Sequence, residues 1–462
     1  GTQNNSYVKF IKSYDLEPLN KNNHVFLESW CFASEMKQLV DIFSPHHSKV
    51  NITQFKPGTY SSFIWNKKHN MFFPYDHKKN KTKYTFQSFV FSKPISFINN
   101  NIQSQEQACD IIRQSLENAV QKRVENTERE IACLLSGGLD SSLICALVNK
   151  YCRKNTLHTW SIGFKGSEDI KYAEIVAKHL GTNHHSIVVD ESEFLNIIDY
   201  IIYTIESYDT TTVRASVGNW LISKYILENS DAKVVFNGDG SDELTGGYMY
   251  MHCAPDELEF DKECRRLLNN IHFFDVLRSD RSISSNGLEA RTPFLDRSFV
   301  ENYLSIPYDL RCHANNKQCE KFLLRKAFDG TNLLPKSVLW RTKEAFSDGV
   351  SKQNRSWYSI IKEYIKKESA IPKNVPEIVY LRQMNKLLKY THNSPKTLEE
   401  LHYRNVFEKY FKNNATVIPY FWMPKYVNAK DASARTLDIY KEKNSTNIYE
   451  ESEKKISIKQ II

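Results

Sequence analysis

The stretch CLLSGGLDSSLICALV, Cys133 to Val148, joins two apolar runs through a break that few backbone geometries can make. The first run stops at Leu135. Ser136, Gly137, Gly138, Asp140, Ser141 and Ser142 crowd the joint, and the second run reads as a helix. A short buried strand that enters a helix through a Gly-Gly turn fits a parallel sheet covered by helices on both faces. The neighbouring sequence repeats the alternation. IACLL (131–135), LHTWSIGF (157–164), HHSIVVD (184–190) and KVVFNG (233–238) read as strands. SSLICALVNKYC and DIKYAEIVAKHLG read as helices, the second closed by Gly181. The expected fold class is therefore α/β, with a doubly wound parallel sheet, and ligands in such sheets sit beyond the carboxyl ends of the strands.

Ser136 to Ser142 is one such strand end. Gly137 and Gly138 allow a tight turn and close backbone approach. Ser141 and Ser142 open a helix whose free amides and dipole favour an anion. These features predict a phosphate cradle, and no Gly-Lys-Ser/Thr follows to make it a Walker A loop. Asp140 is the odd member. A carboxylate beside phosphates repels them unless a cation lies between, and Mg²⁺ is the natural hard ion. The plainer alternative is a Gly/Ser turn with a capping aspartate.

A second strand end carries similar chemistry. In VVFNGDGSDELTGGY, Gly238, Gly240, Gly246 and Gly247 surround Asp239, Asp242 and Glu243. Asp242 is expected as a second Mg²⁺ ligand facing Asp140, against the plainer reading of an aspartate that caps its own turn. LPKSVLWRTKEAFSDG (334–349) supplies Arg341 and Lys343, cations able to neutralise a leaving pyrophosphate. Taken alone, each would pass for a solvated surface side chain.

At 462 residues the chain is too long for one ordinary domain. Residues 1–95 hold strand-like runs such as HVFLESWCFAS and GTYSSFIW, and the pattern changes near 95–104. EQACDIIRQSLENAVQKRV then reads as an amphipathic helix. Beyond Pro255 the chain reads as mostly helical, and after about Asn414 as a tail with a charged, solvated end. The expected domains are 1–95, 96–415 and 416–462. The formal charge of +8 fits a Lys- and Asn-rich surface. No basic run with interleaved aromatics points to nucleic acid. Nine cysteines without a CxxC pair argue against a disulfide framework or a zinc site, and for a reducing compartment. No apolar run approaches the ~18 residues of a membrane span. GTQNNSYVKF lacks the apolar core of a signal peptide, so a cytoplasmic protein is expected.

Together these segments resemble the asparagine synthetase family over roughly residues 25 to 437. SGGLDSS resembles its pyrophosphate loop, NGDGSDELTGGY its second nucleotide loop, NGLEARTPFLD (286–296) its substrate-side segment and WRTKEAFSDGV its basic segment. ESYDTTTVRAS (206–216) and FWMPKYVNAKDASARTL (421–437) also match. The resemblance implies an ATP-pyrophosphatase-type sheet with helical additions, preceded by part of an antiparallel β glutaminase domain of the Ntn type. It implies that ATP adenylates the side-chain carboxylate of aspartate, that pyrophosphate leaves, and that ammonia then displaces AMP. Aspartate, ATP and either glutamine or ammonia are the implied partners, and a homodimer is one assembly it allows.

Residue by residue, the resemblance assigns Leu135, Ile162, Asn237 and Gly238 to the adenosine. It assigns Ser136, Gly137, Gly138, Asp140, Ser141 and Ser142 to the pyrophosphate, and Asp140 and Asp242 to Mg²⁺. Thr211, Thr212 and Arg214 match positions linked to aspartate, and a guanidinium suits a carboxylate bidentately. A helix-surface salt bridge is the plainer reading of Arg214. Lys343 matches a lysine near the phosphates. Asp239 stands where the family usually has Glu, a residue proposed to take a proton in the ammonia step. Its carboxylate is one methylene shorter, which leaves room for a slower step, and Asp239 is expected still to serve.

The family's glutaminase nucleophile is an N-terminal cysteine, whereas this chain starts at Gly1. Its first cysteine, Cys31, lies in WCFASEMKQLV, which resembles a later part of that domain, and an Arg-Gly-Pro-Asp stretch is missing. The expectation is that a longer parent hydrolyses glutamine, while these residues use ammonia. Two rivals remain: a carboxylate-adenylating relative such as a β-lactam synthetase, and a non-catalytic regulatory homologue. DTTTVRAS favours a small dicarboxylate over the first, and the intact Asp140, Asp242, Arg214 and Lys343 argue against the second.

Overall fold

The computed structural model describes residues 7–11, 29–42, 50–67, 71–76, 79, 81–82, 89–90, 97–152, 156–314, 318–344, 346–352, 355–369, 371–372, 374–429 and 431–439. The charged end expected after residue 440 lies outside them. The chain divides into two units: Gly1–Ile95 with Glu206–Tyr208 and Ile371–Tyr420, and Ser96–Ile205 with Asp209–Ala370 and Phe421–Ile462.

In the first unit, strand β1 (Tyr7–Ile11) lies between β2 (Ser29–Ala33) and β3 (Val50–Gln54), antiparallel to both. Helix α1 (Met36–Ile42) follows β2. A short pair, β4 (Thr59–Tyr60) with β8 (Phe89–Val90), is antiparallel, as is the meander β5 (Phe63–Asn66), β6 (Met71–Asp76) and β7 (Lys81–Thr82). The strands expected in HVFLESWCFAS and GTYSSFIW are thus present where the structure describes them. The Met36 and Lys37 amides donate to the buried Glu206 carboxylate at 2.9 and 2.7 Å. Tyr208 donates to the Ala415 carbonyl at 2.8 Å and packs on Phe407, which recruits the capped helix Leu398–Tyr410 to this unit.

The second unit holds the parallel sheet. Helix α2 (Gln105–Glu125) starts at a capping box in which Ser104 and Gln107 satisfy each other's amides. It leads into β9 (Ile131–Leu134), α3 (Leu139–Tyr151), β10 (His158–Phe164), α4 (Glu168–Leu180) and β11 (Asn183–Val189). Helices α5 (Glu191–Asn196), α6 (Ile198–Ile205) and α7 (Thr210–Asn229) precede β12 (Val234–Phe236), and α8 (Ser241–Thr245) follows it. After α9 (Glu257–Asn270) and α10 (Asp275–Ser284) comes a short edge strand, β13 (Glu289–Arg291). The sheet order is β11-β10-β9-β12-β13, and every pairing is parallel.

This order explains the sequence pattern. β9, β10 and β12 are covered on both faces, so they read as continuous apolar runs rather than alternating ones. Ile112 and Leu116 of α2, Leu143, Ile144 and Leu147 of α3, and Phe236 of β12 share one fully buried core. Each such side chain contributes roughly 1.5–3 kcal/mol relative to exposure. Gly181 closes α4 at a φ of 68°, as its sequence position predicts. The first strand of the sheet, β9, has β10 on one side and β12 on the other, so the chain reverses its direction of travel across the sheet there. Such a switch point leaves a crevice at the carboxyl ends of the strands.

Candidate active site

The loops that leave β9 and β12 meet above that crevice. The ladder extends one residue past each strand: the Leu135 amide donates to the Trp160 carbonyl at 2.8 Å and the Asn237 amide to the Arg291 carbonyl at 3.1 Å. At Gly137 the backbone turns at a φ of 70°, and a Cβ there would lie 2.4 Å from Cβ of Tyr172 on α4. Gly137 is therefore needed for the seat of α4 beneath the loop, not for room beside a phosphate. A Cβ on Gly238 would lie 2.8 Å from the backbone and Cβ of Asp140 and from the Ser141 amide. The two loops touch at that point, and only glycine permits it.

Hydroxyls fix the first loop. Ser141 Oγ accepts from the Ser136 amide at 3.1 Å and lies 2.9 Å from Ser136 Oγ. Asp140 Oδ1 accepts from Ser241 Oγ of α8 at 2.7 Å. The other oxygen, Oδ2, lies 2.5 Å from Lys321 Nζ, which is also 2.5 Å from Asp242 Oδ1. Lys343 Nζ takes Asp242 Oδ2 at 2.6 Å. Burial works against charge on Asp242, but Lys321 and Lys343 outweigh it and hold the carboxyl well below its usual range. Burial likewise opposes charge on Lys343, and Asp242 and Asp140 overcome it and raise its pKa. The pair stays ionised on both sides.

A second charged group stands beside the first. Arg278 of α10 donates to Asp239 Oδ1 at 3.1 Å and pairs closely with Asp275. Asp275 in turn accepts from the Gly240 amide at 3.2 Å. Burial raises Asp275 to about 6 despite Arg278. Asp239 Oδ2 is buried with no hydrogen-bond partner among the described residues, as is Thr211 Oγ1. Arg341 lies over the Tyr172 ring at 4.1 Å and donates to the buried Asp169 at 3.1 Å. Burial pushes Asp169 up to about 6, against the Arg341 charge.

One cleft brings most of the expected residues together. Leu135, Ser136, Gly138, Asp140, Ser141, Ile162, Thr211, Asn237, Gly238, Asp239, Asp242, Arg341 and Lys343 all line it. Gly137, Ser142, Thr212 and Arg214 do not. Ser142 is fully buried within α3. Thr212 gives both its amide and its hydroxyl to Asp209, the N-cap of α7. Arg214 holds Asp431 by two bonds of 2.8 Å and stacks on Tyr358 at 4.8 Å. Its guanidinium does meet a carboxylate bidentately, but that carboxylate belongs to the protein.

Four charged lining residues, Lys321, Asp275, Arg278 and Arg325, carry no local sequence signal. With Asp140, Asp239, Asp242, Asp275 and Glu344 facing Arg278, Lys321, Arg325, Arg341 and Lys343, the cleft carries five acids and five bases. Such a balanced wall suits a polyanion that arrives with its own cation.

Mg²⁺ fits the donor set. Asp140 and Asp242 come from separate loops yet converge on a single ammonium, so one cation can serve both. Among the described residues no cluster of three or more His, Cys, Asp or Glu forms an all-protein cage. Mg²⁺ is commonly held in this way, by one or two carboxylates with phosphate oxygens and water completing its shell.

The sequence model of the family described as asparagine synthase matches residues 111–257 and 253–412. The glutamine-hydrolysing asparagine synthetase of Gallus gallus is 45% identical over 334 residues, which is 71% of this chain and 57% of the relative. The human protein of that name is 45% identical over 328 residues, 70% of this chain and 56% of the relative. The chain thus spans little more than half the length of these curated relatives. No helix among the described residues is long and apolar enough to cross a membrane.

Proposed function

The chain belongs to the asparagine synthase family, and on that premise we propose that it makes asparagine from aspartate, ATP and a nitrogen donor by way of β-aspartyl-AMP. The observation that carries this reading is the pair of glycine-rich loops at the switch point. Between them they present two carboxylates, which meet the ammonium groups of Lys321 and Lys343 beside an apolar slot lined by Leu135 and Ile162.

In the first step an oxygen of the aspartate side-chain carboxylate attacks the α-phosphorus of ATP. A new O–P bond forms, the α–β bridge breaks, and pyrophosphate leaves with the bonding electrons. The adenosine lies against Leu135, Ile162, Asn237 and Gly238. The loop from Ser136 to Ser141 receives the β- and γ-phosphates through its amides and hydroxyls. Lys343, Lys321 and Arg341 neutralise the charge that builds on the leaving group. Asp140 and Asp242 would hold Mg²⁺, which would screen the phosphates from both carboxylates.

In the second step ammonia attacks the acyl carbon, the bond to AMP breaks, and a proton leaves the nitrogen. Asp239 is the proposed acceptor. Its Oδ2 has no competing bond, and Arg278 steadies the other oxygen at 3.1 Å. Thr211, with its unpartnered hydroxyl in the cleft, is the proposed contact for aspartate. Direct contact of Arg214 with aspartate would require it to release Asp431. Ammonia is the proposed donor for these 462 residues, and the antiparallel unit is proposed to derive from a glutaminase domain.

Pyrophosphate release with ATP, Mg²⁺ and a panel of acids tests the reading. Release with aspartate, followed by asparagine when ammonia is added, is expected. Release only with a larger amino acid would favour a β-lactam synthetase-like enzyme, and no release with any acid would favour a non-catalytic homologue.

A further inference from the structure

Lys321 is the least expected residue in the cleft. Its backbone sits in the left-handed region at a φ of 58°, which non-glycine residues rarely adopt and which tends to persist at functional positions. Its side chain is only 1% exposed. It runs so close to Gly247 that a Cβ there would lie 1.9 Å from Lys321 Cε. Glycine at 247 thus leaves a channel for the lysine stem, and the ammonium emerges between Asp140 Oδ2 and Asp242 Oδ1, 2.5 Å from each.

We propose that Lys321 is an internal cation that bars the Asp140–Asp242 pair to free divalent metal and yields it only when metal arrives with the nucleotide's phosphates. The inference rests on the reading of Asp140 and Asp242 as metal ligands given above. Two charges on carboxylates face two on ammonium groups, Lys321 and Lys343, so the group of four is neutral as it stands. A divalent ion entering alone gains no net attraction and meets two like charges at short range. An ammonium and a bridging metal also cannot lie between the same two oxygens. A polyphosphate changes both terms: it supplies the missing negative charge, and it gives the displaced ammonium a new partner inside the cleft. The metal and the nucleotide therefore bind as a unit, and free metal does not hold the loops in a half-loaded state.

Mn²⁺ binding to nucleotide-free protein, followed by electron paramagnetic resonance, tests this directly. Wild-type protein should take up no Mn²⁺ that is sensitive to Asp140→Asn until pyrophosphate is added. Lys321→Met, which keeps the stem in the Gly247 channel, should bind Mn²⁺ without pyrophosphate on the order of tenfold or more tightly than wild type. That gain should vanish in the double variant with Asp140→Asn. Nucleotide-free wild type that binds Mn²⁺ at Asp140 as tightly as with pyrophosphate would overturn the proposal, even if Lys321→Met does not fold. A folded Lys321→Met that leaves metal affinity unchanged would overturn it too. Pyrophosphate release from ATP and aspartate by the wild type reports the enzymatic reading separately.

Discussion

Arg214 grips Asp431 through two parallel hydrogen bonds, Nη1 to Oδ1 and Nη2 to Oδ2, both 2.8 Å long. The pair is nearly buried, and it ties the segment around Asp431 to α7. Burial alone would raise the Asp431 pKa, but the Arg214 charge outweighs it and lowers the value.

Asp431→Asn is expected to lower stability by about 1–3 kcal/mol in urea unfolding, because it removes the charged, bidentate acceptor of a buried guanidinium. A lowered folded-state pKa contributes stability above the unfolded value of about 3.9, and that contribution disappears as pH falls through the folded value. The variant should therefore lose its disadvantage at low pH. Unchanged stability at pH 7 would contradict this role for the pair.

Asp348 points to the opposite pH dependence. Burial pushes it up to about 6, against Arg435 and the 2.8 Å bond from Ser433. A raised carboxyl binds its proton more tightly when folded. Its contribution is complete below the unfolded value of about 3.9 and is lost as pH rises through about 6. Asp348→Asn cannot titrate and still accepts from Ser433. Relative to wild type, the variant should gain up to about 3 kcal/mol between pH 4 and pH 7. Parallel stability curves for the two proteins would contradict the buried carboxyl.

Asp239→Asn should cut asparagine formation by about 10²-fold or more, with a smaller loss in pyrophosphate release. Quenched-flow measurement of the two products separates the steps. Asp239→Glu should match or exceed the wild-type rate, since it restores the methylene that the family usually carries. Equal synthesis by Asp239→Asn and wild type would remove Asp239 from the chemistry.

Gly238→Ala should impair both stability and catalysis, since its Cβ would fall 2.8 Å from the backbone of Asp140. The loops must separate to admit it, and misplacement of about 1 Å can cost on the order of 10²-fold in rate. A variant with wild-type kcat would show that the loop contact has no catalytic consequence.

Much of this arrangement was legible in the sequence, because the buried parallel strands β9, β10 and β12 leave continuous apolar runs. β9, β10 and β12 fall within the runs read as strands, β11 starts one residue before its run, and Asp140, Asp239 and Asp242 line the cleft while Glu243 is buried away from it. β13 was not legible. Three residues at a sheet edge, two of them charged, carry no strand signature. Lys321 was equally hidden, since no motif marks it and only tertiary placement turns this lysine inward. Arg214 and Asp431 lie 217 residues apart, and nothing local couples them. The packing of residues 371–420 with the antiparallel unit is likewise a long-range outcome, made through contacts such as Tyr208 with Phe407.

In the proposed reaction the cleft between the two loops joins an aspartate oxygen to the α-phosphorus of ATP. The most direct measurement uses aspartate labelled with ¹⁸O in its side-chain carboxylate, together with ATP, Mg²⁺ and ammonia, and reads the mass of the AMP released. AMP carrying one ¹⁸O per asparagine formed is the predicted result. Unlabelled AMP, or formation of ADP and phosphate in its place, would contradict the account.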